Sequence, residues 1–105
     1  IIEAAFEDIK VKHKIINELE EFISNDTIIA SNTSAIPISS ISECSKRPEN
    51  IIGMHYFSPV QKMPLIEIIP HSGTSNKVIS TAMSVSSKQG KTPTIDLKKP
   101  TIFNK

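Results

Sequence analysis

The sequence predicts an α/β fold with a largely parallel sheet. Short apolar runs alternate with segments whose apolar residues recur at helical spacing, and turn-forming residues separate the two kinds. One stretch departs from that alternation. Ile51–Phe57 and Leu65–Ile69 follow each other with no helical segment between them, which predicts an antiparallel pair or a bent connection near residues 51–69.

Taken in order, residues 1–6 (Ile-Ile-Glu-Ala-Ala-Phe) read as a strand, and Asp8, after Glu7, reads as a helix cap. From Ile9 to Ile23 the apolar residues Ile9, Ile15, Ile16, Leu19, Phe22 and Ile23 fall on one helical face. The charges of this helix oppose its dipole, with Lys10, Lys12 and Lys14 early and Glu18, Glu20 and Glu21 late. Each such placement costs about a few tenths of a kcal/mol. A solvated face explains the pattern; the alternative is an early lysine that serves an anionic ligand at the helix N-terminus. Ser24-Asn25-Asp26 predicts a turn, and Thr27–Ala30 a short strand that empties into Ser31-Asn32-Thr33-Ser34. Pro37 suits the first turn of a short helix over about 37–45. Residues 46–50 form a polar connection containing Pro48. The strand Ile51–Phe57 is stopped by Ser58-Pro59, Leu65–Ile69 is a further strand, and His71-Ser72-Gly73 turns the chain. Residues 76–88 predict a helix with Val78, Ala82 and Val85 on one face, ended by Gly90. Thr94–Leu97 predicts a last strand.

The composition excludes several function classes. At 105 residues there is room for one small domain. A net charge of +1, scattered basic residues and few aromatics (four Phe, one Tyr, no Trp) argue against a nucleic-acid partner. No apolar run approaches the roughly 20 residues of a membrane span. The lone Cys44 excludes an internal disulfide and a cysteine-based zinc cluster, and fits a reducing compartment. The chain opens without an initiator Met or a signal-peptide pattern, at what reads as the middle of a strand, so a piece of a longer protein is expected.

Ligands of open α/β sheets bind outside the carboxyl ends of the strands. Three polar clusters occupy such ends here: Glu7-Asp8, Ser31–Ser34, and His55 close to Ser58. His55 interrupts the apolar run Ile51–Phe57, and Glu67 interrupts Leu65–Ile69. A carboxylate in such surroundings is costly to bury unpaired. If the two strands are neighbours, Glu67 can pair with His55 and orient its imidazole for proton transfer; a purely structural ion pair is the other reading. A hydrolase triad of Ser34, His55 and a carboxylate is disfavoured, because Ser34 lacks the glycines of a nucleophile elbow and the order differs from Ser…acid…His. His13, His55 and His71 show no metal-ligand spacing, so no metal is expected.

The strings Glu3-Ala4-Ala5-Phe6-Glu7-Asp8, Ala30-Ser31-Asn32-Thr33-Ser34, Gly53-Met54-His55-Tyr56-Phe57-Ser58-Pro59, Leu65-Ile66-Glu67-Ile68-Ile69 and Lys88-Gln89-Gly90-Lys91 stand in an order and spacing that resembles the 3-hydroxyacyl-CoA dehydrogenases over roughly residues 1–92. Within that family, Ser45-Lys46-Arg47-Pro48-Glu49 and Met54–Ser58 look closest to the mitochondrial trifunctional α-subunit branch. The resemblance implies the C-terminal half of a Rossmann-like dinucleotide-binding domain. It also implies a β-oxidation enzyme that oxidises L-3-hydroxyacyl-CoA to 3-ketoacyl-CoA with NAD. It assigns His55 as the group that takes the hydroxyl proton, with Glu67 as its partner carboxylate twelve residues on. Ser34 becomes the serine that bonds the substrate oxygen near the nicotinamide, and Glu7, Lys12 and Ser58 lie on the cofactor side. A mitochondrial location, with peroxisomal or cytoplasmic alternatives, an oligomeric intact protein and a fused enoyl-CoA hydratase domain are further implications.

The chain also departs from the family pattern. The upstream Gly-x-Gly-x-x-Gly loop that cradles the pyrophosphate is absent, since the only glycines are Gly53, Gly73 and Gly90. Near the C-terminus Pro100 aligns, but Thr101 replaces a glycine and Asn104 falls one residue short of the family's site asparagine, with Lys105 in its place. The isolated chain is therefore expected to be inactive. The alternative function is a non-catalytic remnant or interaction module that keeps the half-Rossmann scaffold.

Overall fold

The computed structural model describes residues 1–4, 8–32, 36–57 and 62–95. Its described strands form one five-stranded sheet in sequential order: β1 (Ile2–Glu3), β2 (Ile29–Ser31), β3 (Ile51–Tyr56), β4 (Leu65–Ile69) and β5 (Thr92–Ile95). The first three strands are mutually parallel, β4 runs antiparallel to β3, and β5 is parallel to β4. The expected α/β class holds, and so does the antiparallel element between residues 51 and 69. Helix α1 (Ile9–Glu20) connects β1 to β2, the short α2 (Ile38–Ser42) precedes β3, and α3 (Asn76–Lys88) connects β4 to β5.

Alternation along the strands explains the layering. Ile29, Ile51 and Ile69 turn to one face, where they pack with Ile16 of α1 and with Ile38 and Ile41 of α2. Ala30, Ile52, Met54, Ile66 and Ile68 turn to the other, against Val78 and Ala82 of α3. Both faces of the sheet are thus covered, which is why β3 reads as an almost continuous apolar run. By the same alternation His55 and Glu67 belong to the α1/α2 face, at the carboxyl end of β3.

Helix ends follow the expected chemistry. The Asp8 carboxylate accepts from the backbone N–H of Lys10 at 2.9 Å and of Val11 at 3.4 Å, capping α1. Gly90, at φ 77°, closes α3 in the left-handed conformation, with Lys91 N donating to Ser86 O and Gly90 N to Ser87 O at 3.0 Å each. This paired arrangement satisfies two of the helix's last carbonyls.

Several expectations need correction. Helix α1 stops at Glu20 rather than Ile23, so Phe22 lies past the helix and is 85% exposed instead of packed. Lys12 is 1% exposed, which overturns a solvated face for that residue while Lys10 and Lys14 remain exposed. On α3 the buried face is Val78, Ala82 and Ser86, and Val85 is exposed. Ser86 replaces Val85 there because its Oγ donates to Ala82 O at 2.9 Å, so the hydroxyl enters the core already paired. Strand β2 begins at Ile29 instead of Thr27, α2 is shorter than 37–45, and the connection before β3 contains a 3-10 turn at Pro48–Asn50. The last strand begins at Thr92, two residues early, and includes Pro93. Proline is tolerated where a strand has an edge free of ladder bonds, and β5 is terminal in the described sheet. The remaining expectations for residues 5–7, 33–35, 58–61 and 96–105 fall outside the described residues.

Candidate active site

Because β1, β2 and β3 are parallel, their carboxyl ends share one rim of the sheet. The polar segments that follow them therefore begin at that rim, as the sequence pattern anticipates. Of the predicted site residues, His55, Glu67 and Lys12 are described, whereas Glu7, Ser34 and Ser58 lie outside the described residues.

His55 and Glu67 are direct cross-strand partners in the antiparallel β3–β4 register. Neighbours in such a register bring their Cβ atoms to about 4.5–5.5 Å. Here the His55 Nδ1 atom lies 3.4 Å from Glu67 Oε1, with the side chains 25% and 18% exposed. That separation is an ion-pair distance but longer than an ordinary N–H···O bond of about 2.7–3.2 Å. Consistently, Nδ1 is buried and lacks a partner with hydrogen-bond geometry. The two observations agree if the pair is aligned but not fully closed. Catalytic hydrogen bonds are often long in the ligand-free state and tighten when substrate binds. The Phe57 ring stands beside the imidazole, with centroids 5.1 Å apart and planes tilted by 50°.

Lys12 sits in the first turns of α1, buried and engaged by another group of the chain. The first free amides of α1 are occupied by Asp8, so this helix terminus does not present an open phosphate cradle. The alternative of an anion held at the N-terminus of α1 is thereby weakened.

Further polar side chains around the end of β3 have no role assigned from the sequence. The Asn32 Oδ1 atom accepts from the backbone N–H of Tyr56 at 3.2 Å. The Tyr56 hydroxyl donates to Gln89 Oε1 at 2.8 Å, and Lys91 Nζ donates to Met63 O at 2.7 Å. These bonds tie the end of β3 and the approach to β4 to the α3–β5 turn. Only the position of Asn32 just past a strand end, within the polar cluster Ser31–Ser34, hints at this from sequence.

Two hollows lie elsewhere. One, about 510 Å³, follows the exposed side of α1 along Lys10, His13, Lys14, Asn17, Glu18 and Glu21. The other, about 240 Å³, is an apolar cleft at the β1 edge between Ile28, Ala30, Met54, Ala82 and Val85. Neither is lined by His55 or Glu67. Among the described residues no cluster of His, Cys, Asp or Glu could hold a metal ion, and no helix is long and apolar enough to cross a membrane.

Comparison with known proteins identifies the family. Residues 1–99 match the family model of the 3-hydroxyacyl-CoA dehydrogenase NAD-binding domain. A fatty acid oxidation complex subunit alpha from Idiomarina loihiensis is 55% identical over 95 residues, covering 90% of this chain and 13% of that protein. The chain thus spans about an eighth of the length of such curated relatives. Among solved structures, the dehydrogenase part of multifunctional enzyme 1 from C. elegans superposes with a TM-score of 0.88 at 33% identity, over 91% of this chain and 22% of that one. The 3-hydroxybutyryl-CoA dehydrogenase from Escherichia coli gives 0.86 at 33% identity, over 90% and 20%.

Proposed function

The chain belongs to the 3-hydroxyacyl-CoA dehydrogenase family by its NAD-binding domain, and from that premise we propose that it forms part of an enzyme that oxidises L-3-hydroxyacyl-CoA to 3-ketoacyl-CoA in fatty acid β-oxidation. The observation that carries the reading is the register pairing of His55 with Glu67 at the rim where the parallel strands end. His55 Nε2 takes the proton of the substrate's C3 hydroxyl. Glu67 holds the Nδ1–H tautomer and stabilises the imidazolium that results. Ser34 bonds the same hydroxyl oxygen and aligns it for the transfer.

The residues at this rim fit the nicotinamide end of NAD better than its pyrophosphate, because the α1 amides are already capped by Asp8. Glu7, Ser34 and Ser58 would hold that end, with Lys12 also on the cofactor side. When bound, NAD supplies the acceptor for the hydride that leaves C3.

In this reading the chain works inside a longer, oligomeric protein that also carries an enoyl-CoA hydratase domain. The length of its relatives supports the longer protein. Those relatives are bacterial, which favours the cytoplasmic alternative over a mitochondrial location.

The test uses the full-length protein that contains this chain. Following NADH formation from 3-hydroxyacyl-CoA, His55→Ala is expected to abolish turnover. Glu67→Gln is expected to lower kcat on the order of a hundred-fold or more, as loss of the tautomer-setting carboxylate does in related acid–base pairs. Wild-type turnover in His55→Ala would overturn the assignment.

A further inference from the structure

We infer that Asn32 is a positioning residue for His55, a role that rests on the reading of His55 as the proton acceptor. Strand β2 ends at Ser31, which pairs with Gly53, while β3 continues to Tyr56. On its β4 side the end of β3 stays in register, His55 with Glu67 and Tyr56 with Ile66. On its β2 side no backbone ladder pair follows Ser31–Gly53 among the described residues. The Asn32 side chain takes over there: its Oδ1 stands in for the next β2 carbonyl and accepts from Tyr56 N at 3.2 Å.

This bond acts on the peptide unit that joins His55 to Tyr56. Peptide units are planar, so fixing the Tyr56 N–H also fixes the His55 carbonyl and the rotation about its Cα–C bond. The tolerance is small. His55 Nδ1 and Glu67 Oε1 are 3.4 Å apart, and a change of about half an ångström separates a formed from an unformed hydrogen bond. The Phe57 ring against the imidazole depends on the same stretch of backbone. Asn32 thereby holds the proton acceptor from the strand that carries the Ser31–Ser34 segment. It couples two of the three polar clusters at the rim without itself taking a proton.

Asparagine suits this place because its acceptor is one bond further from the backbone than a serine hydroxyl. Aspartate keeps that acceptor and exchanges the amide donor for a carboxylate charge. The full-length protein carrying Asn32→Ala is expected to lose about ten-fold in kcat with little change in KM, less than the roughly hundred-fold that a 1 Å misplacement costs. Asn32→Asp is expected to stay within about three-fold of wild type, since its carboxylate can still accept from Tyr56 N. Hydrogen exchange of the peptide containing Tyr56 should be faster in Asn32→Ala and near wild type in Asn32→Asp. If Asn32→Ala does not fold, Asn32→Ser, too short to reach, replaces it. Equal losses in the Ala and Asp variants, a loss confined to KM, or unchanged exchange at Tyr56 would each overturn the inference. An active His55→Ala enzyme would instead overturn the assignment of the acceptor, and the Tyr56 exchange result would show that failure to be separate.

Discussion

Gly53 sets the distance between β3 and the helix packed on it. A Cβ placed at this glycine would lie 2.7 Å from Ile38 Cδ1, 2.9 Å from Ile38 Cγ1 and 3.0 Å from Ile69 Cβ. Ile38 belongs to α2 and is 2% exposed, and Ile69 is the β4 residue in register with Gly53. The Cδ1 atom is the end of a side chain and can rotate away. Ile69 Cβ is attached to a paired strand and cannot. Inserting a methyl group into such a core costs about 1–3 kcal/mol. Replacing a strand glycine by alanine returns roughly 0.5–1 kcal/mol through reduced chain freedom. Gly53→Ala should therefore destabilise by about 1–2 kcal/mol, read as a lower urea midpoint by circular dichroism. Ile38→Val removes Cδ1 and, alone, should cost about 0.5–1.5 kcal/mol. Together the two should cost less than their sum by about 1 kcal/mol, because the methyl added at Gly53 fills the space that the lost Cδ1 leaves. A neutral Gly53→Ala, or strictly additive effects, would refute the steric account. Since His55 is two residues on and on the same face, a confirmed shift of α2 would also displace the candidate acceptor.

Other perturbations test different parts of the framework. The His71 ring is 8% exposed; its Nε2 donates to Pro48 O at 2.7 Å and its Nδ1 accepts from Gly73 N at 3.0 Å. Removing both bonds in His71→Ala should cost about 1–3 kcal/mol in urea denaturation, and an unchanged midpoint would contradict this. Glu20, 7% exposed, accepts from Ser45 Oγ and from Lys46 N at 3.1 Å. Glu20→Ala leaves those donors unpaired and should cost a similar amount, about 1–3 kcal/mol, whereas an unaltered urea midpoint would show that solvent replaces the carboxylate without loss. Burial, and then the Glu20 charge, push the Cys44 thiol above its ordinary pKa. A raised pKa means less thiolate at a given pH, so iodoacetamide should alkylate Cys44 more slowly than a free thiol near neutrality and faster as pH rises. Glu20→Gln should speed the reaction; no change would remove the charge as a cause.

The pairing of His55 with Glu67 was legible because each is the single residue of its apolar strand that can carry charge near neutrality. The cost of burying either group alone forces them together, and adjacent strands without a helix between them must run antiparallel or make a long detour. Ser86 was not legible, since its burial depends on a bond to Ala82 O that only a formed helix provides. Phe22 continues the apolar period of α1 past the last helical turn, and no glycine or proline marks the stop. The burial of Lys12 was equally hidden, because a lone cation in sequence gives no sign of the group that engages it.

The reversal at β4 does more than close the sheet. In a purely parallel sheet one rim would gather the polar loops, and an acid and a base on neighbouring strands would meet at that rim only if both stood at strand ends. With β4 antiparallel, Glu67 lies inside its strand and still faces His55 at the rim, because the start of β4 lies beside the end of β3. The carboxylate is thus held by a ladder on both sides, β3 and β5, rather than by a loop. A strand-borne carboxylate loses little further freedom when the His55 bond closes, so closing that bond needs little rearrangement. The geometry that makes Glu67 look misplaced in an apolar strand is therefore the one that lets it hold an imidazole in a single orientation.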